Sequence, residues 1–415
     1  MTETIEWHLG IDWATDTHDL CLVDSDGQVR GRRRVEHSVL AIHAAVQWVR
    51  EIAGVPAAAI AVGIETPHGA LVDTLLEQGF RVFAINPKQL DRFRDRFTVA
   101  GAKDDPRDAH ALADALRTDR RVFREVRADD PLVIRLRELC RIVDDLGADE
   151  RRLTNRLRDQ LYRVHAAWLT LCPAADEAWL WTILRDAPDP ETWAELPRRR
   201  ITPVLRAHRI RRLSVDDVRQ ALQQPRLTVA AGVPAAVASR ITSLVPQLIL
   251  IHEQRATAQR QIDRLLAELA ATELTDEQPR EHRDVEILQS LPGVGRMVTA
   301  TMLTEAAGPV AARDYRTLRA YTGTAPVTKR SGKRMRLVHM RHTCNSRLRN
   351  ALYHWAGNSI QRDAAARAYY DHLRMRGHNH ARALRSVADR WLRILVAMLR
   401  SRTLYDCSRF ACASA

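Results

Sequence analysis

A long helical periodicity occupies the middle of this 415-residue chain and constrains its fold more than any other feature. Over residues 131–166, apolar side chains recur at spacings of three, four and seven with charged residues between them, as in one long amphipathic helix. The same pattern returns over 244–271. The apolar positions are Leu136, Leu139, Val143, Leu146, Leu153, Leu157, Leu161 and Val164, then Leu248, Ile251, Ile262, Leu265 and Leu269. The two segments predict an antiparallel coiled-coil arm, and the stretch 168–240 predicts a small helical insertion.

The residues before the arm alternate between short apolar runs and amphipathic stretches. The apolar runs predict strands at 8–12, 20–27, 58–65 and 80–86, and the alternation of Arg30, Arg32 and Arg34 is compatible with a further strand at 28–36. The amphipathic stretches predict helices at 40–53, 69–78 and 106–116. Strands that alternate with helices are typical of a mixed sheet with helices packed on it. The predicted class is therefore α/β plus α.

A polar stretch with Pro279 follows the arm and is typical of a linker. We therefore predict an α/β domain at 1–128, an arm with its insertion at 129–275, a compact helical domain at 284–402 and a mobile Ser/Cys/Ala-rich tail at 403–415.

The charge balance is strongly basic. There are 64 Lys and Arg against 51 Asp and Glu, a net charge of +13. This favours a nucleic-acid partner, although the codon usage of a GC-rich genome would also enrich Arg. Six cysteines without CxxC spacing, and no long apolar run, predict a cytoplasmic protein that does not enter the membrane.

Four acidic residues stand where strands end or a helix begins. Asp12 ends the first predicted strand, Glu65 ends the strand at 58–65, and Asp105 and Asp108 lie where the chain enters the helix at 106–116. Carboxylates that converge from distant segments on one sheet edge are what two Mg²⁺ ions need for phosphoryl transfer. Each acid also has a simpler interpretation. Asp105 before Pro106 is a helix N-cap pattern, and Asp104 competes with Asp105 as the third ligand.

The segment 327–349 contains eight basic residues and no acid. They are Lys329, Arg330, Lys333, Arg334, Arg336, Arg341, Arg347 and Arg349. A stretch with only positively charged side chains around Ser331 and Gly332 favours a phosphate-binding surface. Within this surface, Ser331 is either a nucleophile or an ordinary loop serine. The earlier LPGVG turn, with Gly293 and Gly295, suits either a phosphate or a simple corner between helices.

Several motifs together carry a family resemblance. In chain order they are GIDWATDTHDLCLVDSDG, GIETPHG, FAINPKQLDRFR and AKDDPRDAHALA, then LQSLPGVGRMVTATMLTEAAG, DYRTLRAYTGTAPVTKRSGKR and NSRLRNALYHWA. This order resembles the DEDD transposases of the insertion-sequence-110 family, which are related to the Piv-type DNA invertases.

The resemblance implies a RuvC-like (ribonuclease-H-like) domain whose acidic set falls on Asp12, Glu65, Asp105 and Asp108, with Mg²⁺ as the metal and Mn²⁺ as an alternative. It implies a C-terminal domain with a helix-hairpin-helix-like element and Ser331 as the nucleophile that becomes linked to DNA. It further implies donor and target DNA, a guide RNA from the element's noncoding end, and a homo-oligomer that goes from dimer to tetramer. The alternatives are a metal-dependent nuclease of Holliday-junction type and a non-catalytic DNA-binding scaffold.

Overall fold

The chain divides into two compact units, Met1–Asp130 and Pro131–Ala415. This division is seen in a computed structural model, which describes residues 4–65, 69–94, 105–126, 130–226, 228–271, 283–329 and 337–408. Each unit has its own hydrophobic clusters and is described separately.

The first unit is a sheet with helices on both faces. Its elements are β1 (Trp7–Trp13), β2 (Thr17–Val23), β3 (Val29–Glu36), α1 (Val39–Ala53), β4 (Ile60–Ile64), α2 (Ala70–Glu77), β5 (Arg81–Ala84), α3 (Pro87–Arg94), α4 (Asp105–Asp119) and β6 (Arg124–Val126). The six strands lie in the order β3-β2-β1-β4-β5-β6. Strands β1, β4 and β5 are parallel, whereas β2, β3 and β6 run antiparallel to their neighbours. This confirms the predicted mixed sheet and is consistent with a RuvC-like domain.

The two faces of the sheet follow from the alternation of side chains along each strand. Leu9 and Ile11 of β1 join the cluster that α1 and α2 cover. Gly10 lies on the opposite face, where α4 packs, and so does Cys21 of β2. Strand β6 was not predicted from the sequence, because its three residues, Arg-Glu-Val, carry no apolar alternation.

Helix α4 approaches β1 very closely. A Cβ atom on Gly10 would stand 1.9 Å from the carbonyl oxygen of Ala109 and 2.6 Å from the amide nitrogen of Ala113. On β4, a Cβ atom on Gly63 would stand 3.1 Å from the carbonyl oxygen of Leu112. Glycine at both positions lets the helix backbone lie directly on the strands, which fixes where the first turn of α4 sits.

Where the structure describes the second unit, it is helical apart from one small hairpin. Its elements are α5 (Pro131–Val164), α6 (Ala167–Leu171), α7 (Ala178–Asp186), α8 (Arg198–Ala207), α9 (Val215–Leu222), α10 (Val233–Ala270), α11 (Asp284–Ser290), α12 (Arg296–Glu305), α13 (Ala307–Ala311), α14 (Tyr315–Tyr321), β7 (Val327–Lys329), β8 (Leu337–His339), α15 (Ser346–Arg362), α16 (Ala364–Met375) and α17 (His380–Ser401).

Helices α5 and α10 pack side by side and antiparallel. The first half of α5 contributes Leu136 and Val143 to a cluster with Ile262 and Leu265 from the second half of α10. Midway, the buried carboxylate of Glu150 accepts a hydrogen bond from the Arg255 guanidinium at 2.8 Å. The two long helices were predicted, but α10 begins at Val233 rather than at 244. The helix continues through Pro246, so this proline marks neither the start nor the end of the helix.

By length and composition alone, α10 could span a bilayer. This is weak evidence for a membrane protein, because Leu248 and Ile262 are fully buried against the rest of the unit.

The insertion between α5 and α10 shares one hydrophobic cluster with the second half of α5 and the first half of α10. Four tryptophans, Trp168, Trp179, Trp181 and Trp193, are buried there, with exposed fractions of 1% or less. The Trp181 and Trp193 indoles donate hydrogen bonds of 2.8 Å to the carbonyl oxygens of Ala175 and Ala187. Buried indole groups usually find a hydrogen-bond partner, and these two hydrogen bonds tie the tryptophan side chains to the backbone of the insertion.

Candidate active site

Asp12 and Glu65 are brought together at the carboxyl end of two parallel strands. The register pairs Ile11 of β1 with Ile64 of β4, so Asp12 and Glu65 come next on each strand. Neighbouring strands lie about 4.8 Å apart. Asp12 lies on the same face of β1 as Gly10, which is the face that α4 covers, and Glu65 follows directly after Ile64, the last residue of β4.

Asp108 joins them from α4. It is the residue immediately before Ala109, whose carbonyl oxygen lies against Gly10, and it is 5% exposed. The close approach of α4 therefore places a buried carboxylate near the end of β1. Asp12, Glu65 and Asp108 are far apart in the sequence, and β1, β4 and α4 thus place them at the same end of the sheet.

The fourth predicted acid is placed only by its backbone. Asp105 is the first residue of α4, one helical turn before Asp108. The Asp105 side chain and the whole of Asp104 lie outside the described residues, so the choice between these two ligands stays a prediction.

A fifth acidic residue, Asp19, was missed in the sequence. It stands directly opposite Asp12 in the antiparallel pair of β1 and β2, on the same face, and is 8% exposed. Its carboxylate lies 3.7 Å from the Arg34 guanidinium nitrogen, and Arg34 is opposite Asp19 on β3. Glu65, Asp12, Asp19 and Arg34 thus form a row across four adjacent strands. The hairpin register, counted outward from the turn at 14–16, could have identified Asp19.

The carboxylate set Asp12, Glu65, Asp19 and Asp108 is called the acidic edge below. Like charges on directly opposed strand positions repel each other, so such a set needs a compensating positive charge. Hard carboxylate oxygens from several elements are the ligand type that Mg²⁺ and Mn²⁺ prefer. The donor set therefore fits a divalent cation, with Arg34 offsetting part of the charge at Asp19.

Two histidines near α4 are held neutral. Burial, and then the positive charges of Arg120 and Arg117, lower the pKa of His8 to about 4, although Asp114 opposes this. Burial and the Arg32 charge lower the pKa of His110. The charged side chains around these two histidines are therefore Arg32, Arg117, Arg120 and Asp114.

The predicted basic segment is only partly described. Strands β7 and β8 form an antiparallel hairpin on either side of residues 330–336. Arg330, Ser331, Lys333, Arg334 and Arg336 lie outside the described residues, and their roles stay predictions.

Three arginines of this segment are described and contact the fold. The Arg347 guanidinium donates a 3.2 Å hydrogen bond to Asp144 on α5. Arg341 donates to the carbonyl oxygen of Ala325 at 3.4 Å, and Arg349 lies 3.9 Å from the Cys344 sulfur. Their guanidinium groups are half-buried, so these three residues hold the hairpin and α15 in place whatever else they contact.

The two glycines of the LPGVG turn lie in different environments. Gly293 is buried with a φ of 80°, and a Cβ atom there would stand 2.5 Å from the amide nitrogen of Ser359 on α15. Close packing and the positive φ account for a glycine at this position, and the phosphate contact predicted for it stays a prediction. Gly295 is exposed at the N-terminus of α12 with open space around its Cα, so it is the one of the two that can approach a phosphate.

Among the described residues, the one group of three or more metal-ligating residues whose ligand atoms lie within 4.8 Å of one another is Cys172, Asp176 and Glu177, in the second unit. Burial raises the pKa of the Cys172 thiol to about 11, which keeps it protonated. The Glu177 carboxylate accepts hydrogen bonds from the Trp179 indole and the Arg212 guanidinium. These contacts explain the group as part of the insertion's structure.

The sequence matches two family models, one on each side of the arm's insertion. Residues 9–166 match the DEDD transposase family of IS110, and residues 285–371 match the transposase family of IS116, IS110 and IS902. The matched ranges contain the acidic edge and the predicted basic segment.

Full-length relatives agree with these matches. The protein named as the mini-circle transposase for IS117 of Streptomyces coelicolor is 32% identical over 96% of this chain and 94% of its own length. The IS116 insertion-element protein of Streptomyces clavuligerus is 28% identical over 96% of this chain and 95% of its own length. The protein named as transposase y4uE of Sinorhizobium fredii is 46% identical, over 51% of this chain and 59% of that protein. With its mixed sheet, its acidic edge and these relatives, the chain belongs to the IS110 family of transposases.

Proposed function

We propose that this transposase cuts and rejoins DNA strands, with a divalent metal at the acidic edge and Ser331 as the nucleophile. The metal site is supported by the position of Asp12 and Glu65 at the carboxyl ends of neighbouring parallel strands, and of Asp108 on the helix that packs against Gly10. The serine half rests on the family resemblance and on the concentration of Lys and Arg in 327–349.

Asp12, Glu65 and Asp108 would hold the metal, with Asp105 completing the set. A bound Mg²⁺ or Mn²⁺ supplies Lewis-acid stabilisation of the charge that develops on phosphate oxygens. The chain's own contribution is to fix the carboxylates rigidly, since glycine at positions 10 and 63 lets α4 pack directly against the strands. Mg²⁺ suits this all-oxygen set, and Mn²⁺ would substitute for it.

In the serine step, the Ser331 oxygen forms a bond to a DNA phosphorus while the bond from phosphorus to one deoxyribose oxygen breaks. The serine loses its proton, and the leaving oxygen takes one up. Arg330, Lys333 and Arg334 would stabilise the negative charge on the phosphorane, as preorganised donors do in other acyl and phosphoryl transfers. Arg336 would contact a neighbouring phosphate, and the exposed N-terminus of α12 at Gly295 would contribute another contact.

The partners are donor and target DNA and, as the resemblance implies, a structured guide RNA and further copies of this chain. The exposure of Ile134 and Ile142 on α5, at 44% and 45%, supports self-association along the arm as a coiled coil. On this proposal α11 and α12 act as a helix-hairpin-helix-like element, and the serine link relates the chain to the Piv-type invertases.

A covalent-trapping assay tests the proposal. DNA carrying the element ends is incubated with the wild-type protein and Mg²⁺, and denaturing gels then separate protein–DNA adducts from free DNA. We expect an adduct with the wild type, and none with Ser331→Ala although this variant still binds DNA. Ser346→Ala, at the start of α15, is the matched control and keeps the adduct.

The same assay separates the alternatives. Metal-dependent cutting without any adduct would favour a nuclease of Holliday-junction type. Binding with neither cutting nor adduct would favour a DNA-binding scaffold. A full adduct yield from Ser331→Ala would show that another residue is the nucleophile.

A further inference from the structure

Positive charge is concentrated in one short stretch of the insertion. Residues 198–212 contain seven arginines and no acid, whereas the insertion as a whole, residues 165–232, contains ten arginines and eight acids. Mixed signs are normal for a solvated surface, so this local separation needs an explanation. No lysine contributes, and arginine is the side chain that binds phosphate in a bidentate manner.

Three of the seven arginines hold the insertion together. Arg198 forms an ion pair with Asp216 on α9, with one N–O distance of 3.0 Å. Arg200 donates to the carbonyl oxygen of Asp186 at 3.4 Å. Arg212 donates to the carbonyl oxygen of Leu171 at 2.8 Å and to the Glu177 carboxylate. These contacts join α8 and its following turn to α6, α7 and α9.

The other four, called the insertion arginines here, are Arg199, Arg206, Arg209 and Arg211. All four are exposed, and their guanidinium groups make no hydrogen bond or ion pair within the part of the chain that the structure describes. Arg199 and Arg206 are seven residues apart on α8 and so share one face of it. The buried residues of this helix, Ile201 and Leu205, lie on another face.

The surface under these arginines is fixed by the tryptophan core described above. Trp168 and Trp193 pack edge to face with ring centroids 5.6 Å apart, and both are fully buried. The fold therefore presents the four guanidinium groups on a rigid support and uses none of them for its own stability.

We propose that the insertion arginines bind the phosphate backbone of a nucleic acid, at a surface distinct in sequence from the basic segment at 327–349. The proposal rests on the nucleic-acid partner of the family and not on the serine chemistry. Duplex DNA and double-stranded RNA share the phosphate chemistry that this surface recognises, and the experiment below distinguishes them. Such a surface would hold the nucleic acid by its backbone and add affinity without reading the sequence.

The test measures binding of the full-length protein to a duplex DNA and to a double-stranded RNA of the same sequence, over a range of salt concentrations. The variant replaces Arg199, Arg206, Arg209 and Arg211 by Gln. Each phosphate contact contributes a slope of about −0.9 to a plot of log K against log salt. We therefore expect the slope for the variant to be shallower by about 3 to 4 on the nucleic acid that occupies this surface. The substrate with the larger change, DNA or RNA, is its natural occupant.

A charge-matched control replaces Arg151, Arg156, Arg240 and Arg264 by Gln. These are also exposed on the arm and make no side-chain contact in the described part of the chain. The control should keep the wild-type slope, and replacing the four insertion arginines by Lys should keep most of it. Equal slopes for the Gln variant and the wild type, or equal losses in the Gln variant and the control, would overturn the proposal. Binding of an acidic protein in place of either nucleic acid would overturn it as well.

Discussion

The acidic edge and the insertion arginines are charged surfaces that the chain builds in opposite ways. The acidic edge is made by topology, since its members come from β1, β2, β4 and α4 and meet only when the sheet forms. The insertion arginines all come from one stretch of thirteen residues, 199–211, which contains no acidic residue. Their closeness in the sequence is therefore enough to bring them together.

This difference shows in how each surface is held. At the acidic edge, α4 lies against β1 with no room for a side chain at position 10, so geometry there is fixed by backbone packing. The insertion arginines are long side chains on a fixed support, free to follow a phosphate backbone. Carboxylates held in fixed positions are suited to binding a metal ion and to catalysis. Arginine side chains that can change conformation are suited to binding a nucleic-acid backbone.

The largest expected effect is at the acidic edge. Asp12→Asn should lower recombination by about 10²- to 10³-fold, the loss typical when one preorganised electrostatic contact is removed from an active site. Its thermal stability should be unchanged or higher, because the substitution relieves repulsion between Asp12 and Asp19 across the strands. Recombination and thermal melting are measured on the same preparation. A variant that loses activity only because it unfolds would contradict this account of Asp12.

The close packing of α4 gives the next prediction. Gly10→Ala should cost about 3 kcal/mol of unfolding free energy, since overpacking against backbone atoms cannot be relieved by side-chain rotation. Gly63→Ala should cost less. Its nearest neighbours include the ends of the Leu116 and Ile85 side chains, at 3.0 and 3.1 Å, which can move. Denaturant unfolding compares the two variants, and equal losses would mean that α4 is not held by contact at Gly10.

The neutral His8 predicts a pH dependence for the α4 face. Its pKa is about 4 in the folded protein, below the ordinary value near 6.5, so between these pH values the unfolded chain takes up a proton that the folded chain does not. Stability should therefore fall by at most about 3 kcal/mol as the pH drops from 6.5 to 4, and this contribution should not change further below pH 4. The difference between wild type and His8→Leu, measured by denaturant unfolding at each pH, isolates this contribution. A difference that stays constant from pH 7 to 4 would rule it out.

The smallest effect is expected in the arm, where an ion pair joins two helices and is not part of the candidate active site. Glu150→Gln weakens the hydrogen bonds to Arg255 and His252 and should cost about 1 to 2 kcal/mol, since Arg255 is 38% exposed and partly screened by water. Glu253→Gln, one of the exposed acids on α10, is the control and should cost almost nothing. A large loss of recombination in Glu150→Gln at unchanged stability would show that the arm does more than hold the two helices together.

The sequence predicted most of the first unit, because strands buried by helices on both faces appear as short apolar runs. It placed Asp12 and Glu65 at the ends of strands and Asp108 at the start of a helix, and the roles of these three residues stay predictions. It missed Asp19, since only the register of the β1–β2 hairpin brings that residue opposite Asp12.

The second unit was harder to predict. The start of α10 at Val233 was missed because its first turns are rich in Ala and Ser and contain Pro246. The tertiary role of Gly293 depends on the backbone of α15, more than sixty residues away, and no local pattern could indicate it. The segregation of arginines in 198–212 was visible in the sequence. Which of them lack a partner depends on the positions of Asp216, Asp186 and Glu177 in the folded insertion.

The central claim is that Asp12, Glu65 and Asp108 form one divalent-metal site, and Mn²⁺ binding tests it most directly. Electron paramagnetic resonance of free Mn²⁺, titrated with the full-length protein in the absence of DNA, reports how many ions are bound and how tightly. We predict saturable binding by the wild type, and its loss in both Asp12→Asn and Asp108→Asn. Asp263→Asn, on α10 in the other unit, should bind as the wild type does. Wild-type Mn²⁺ binding by both Asp12→Asn and Asp108→Asn would contradict the account, because the carboxylates that the fold brings together would then not be the ones that hold the metal.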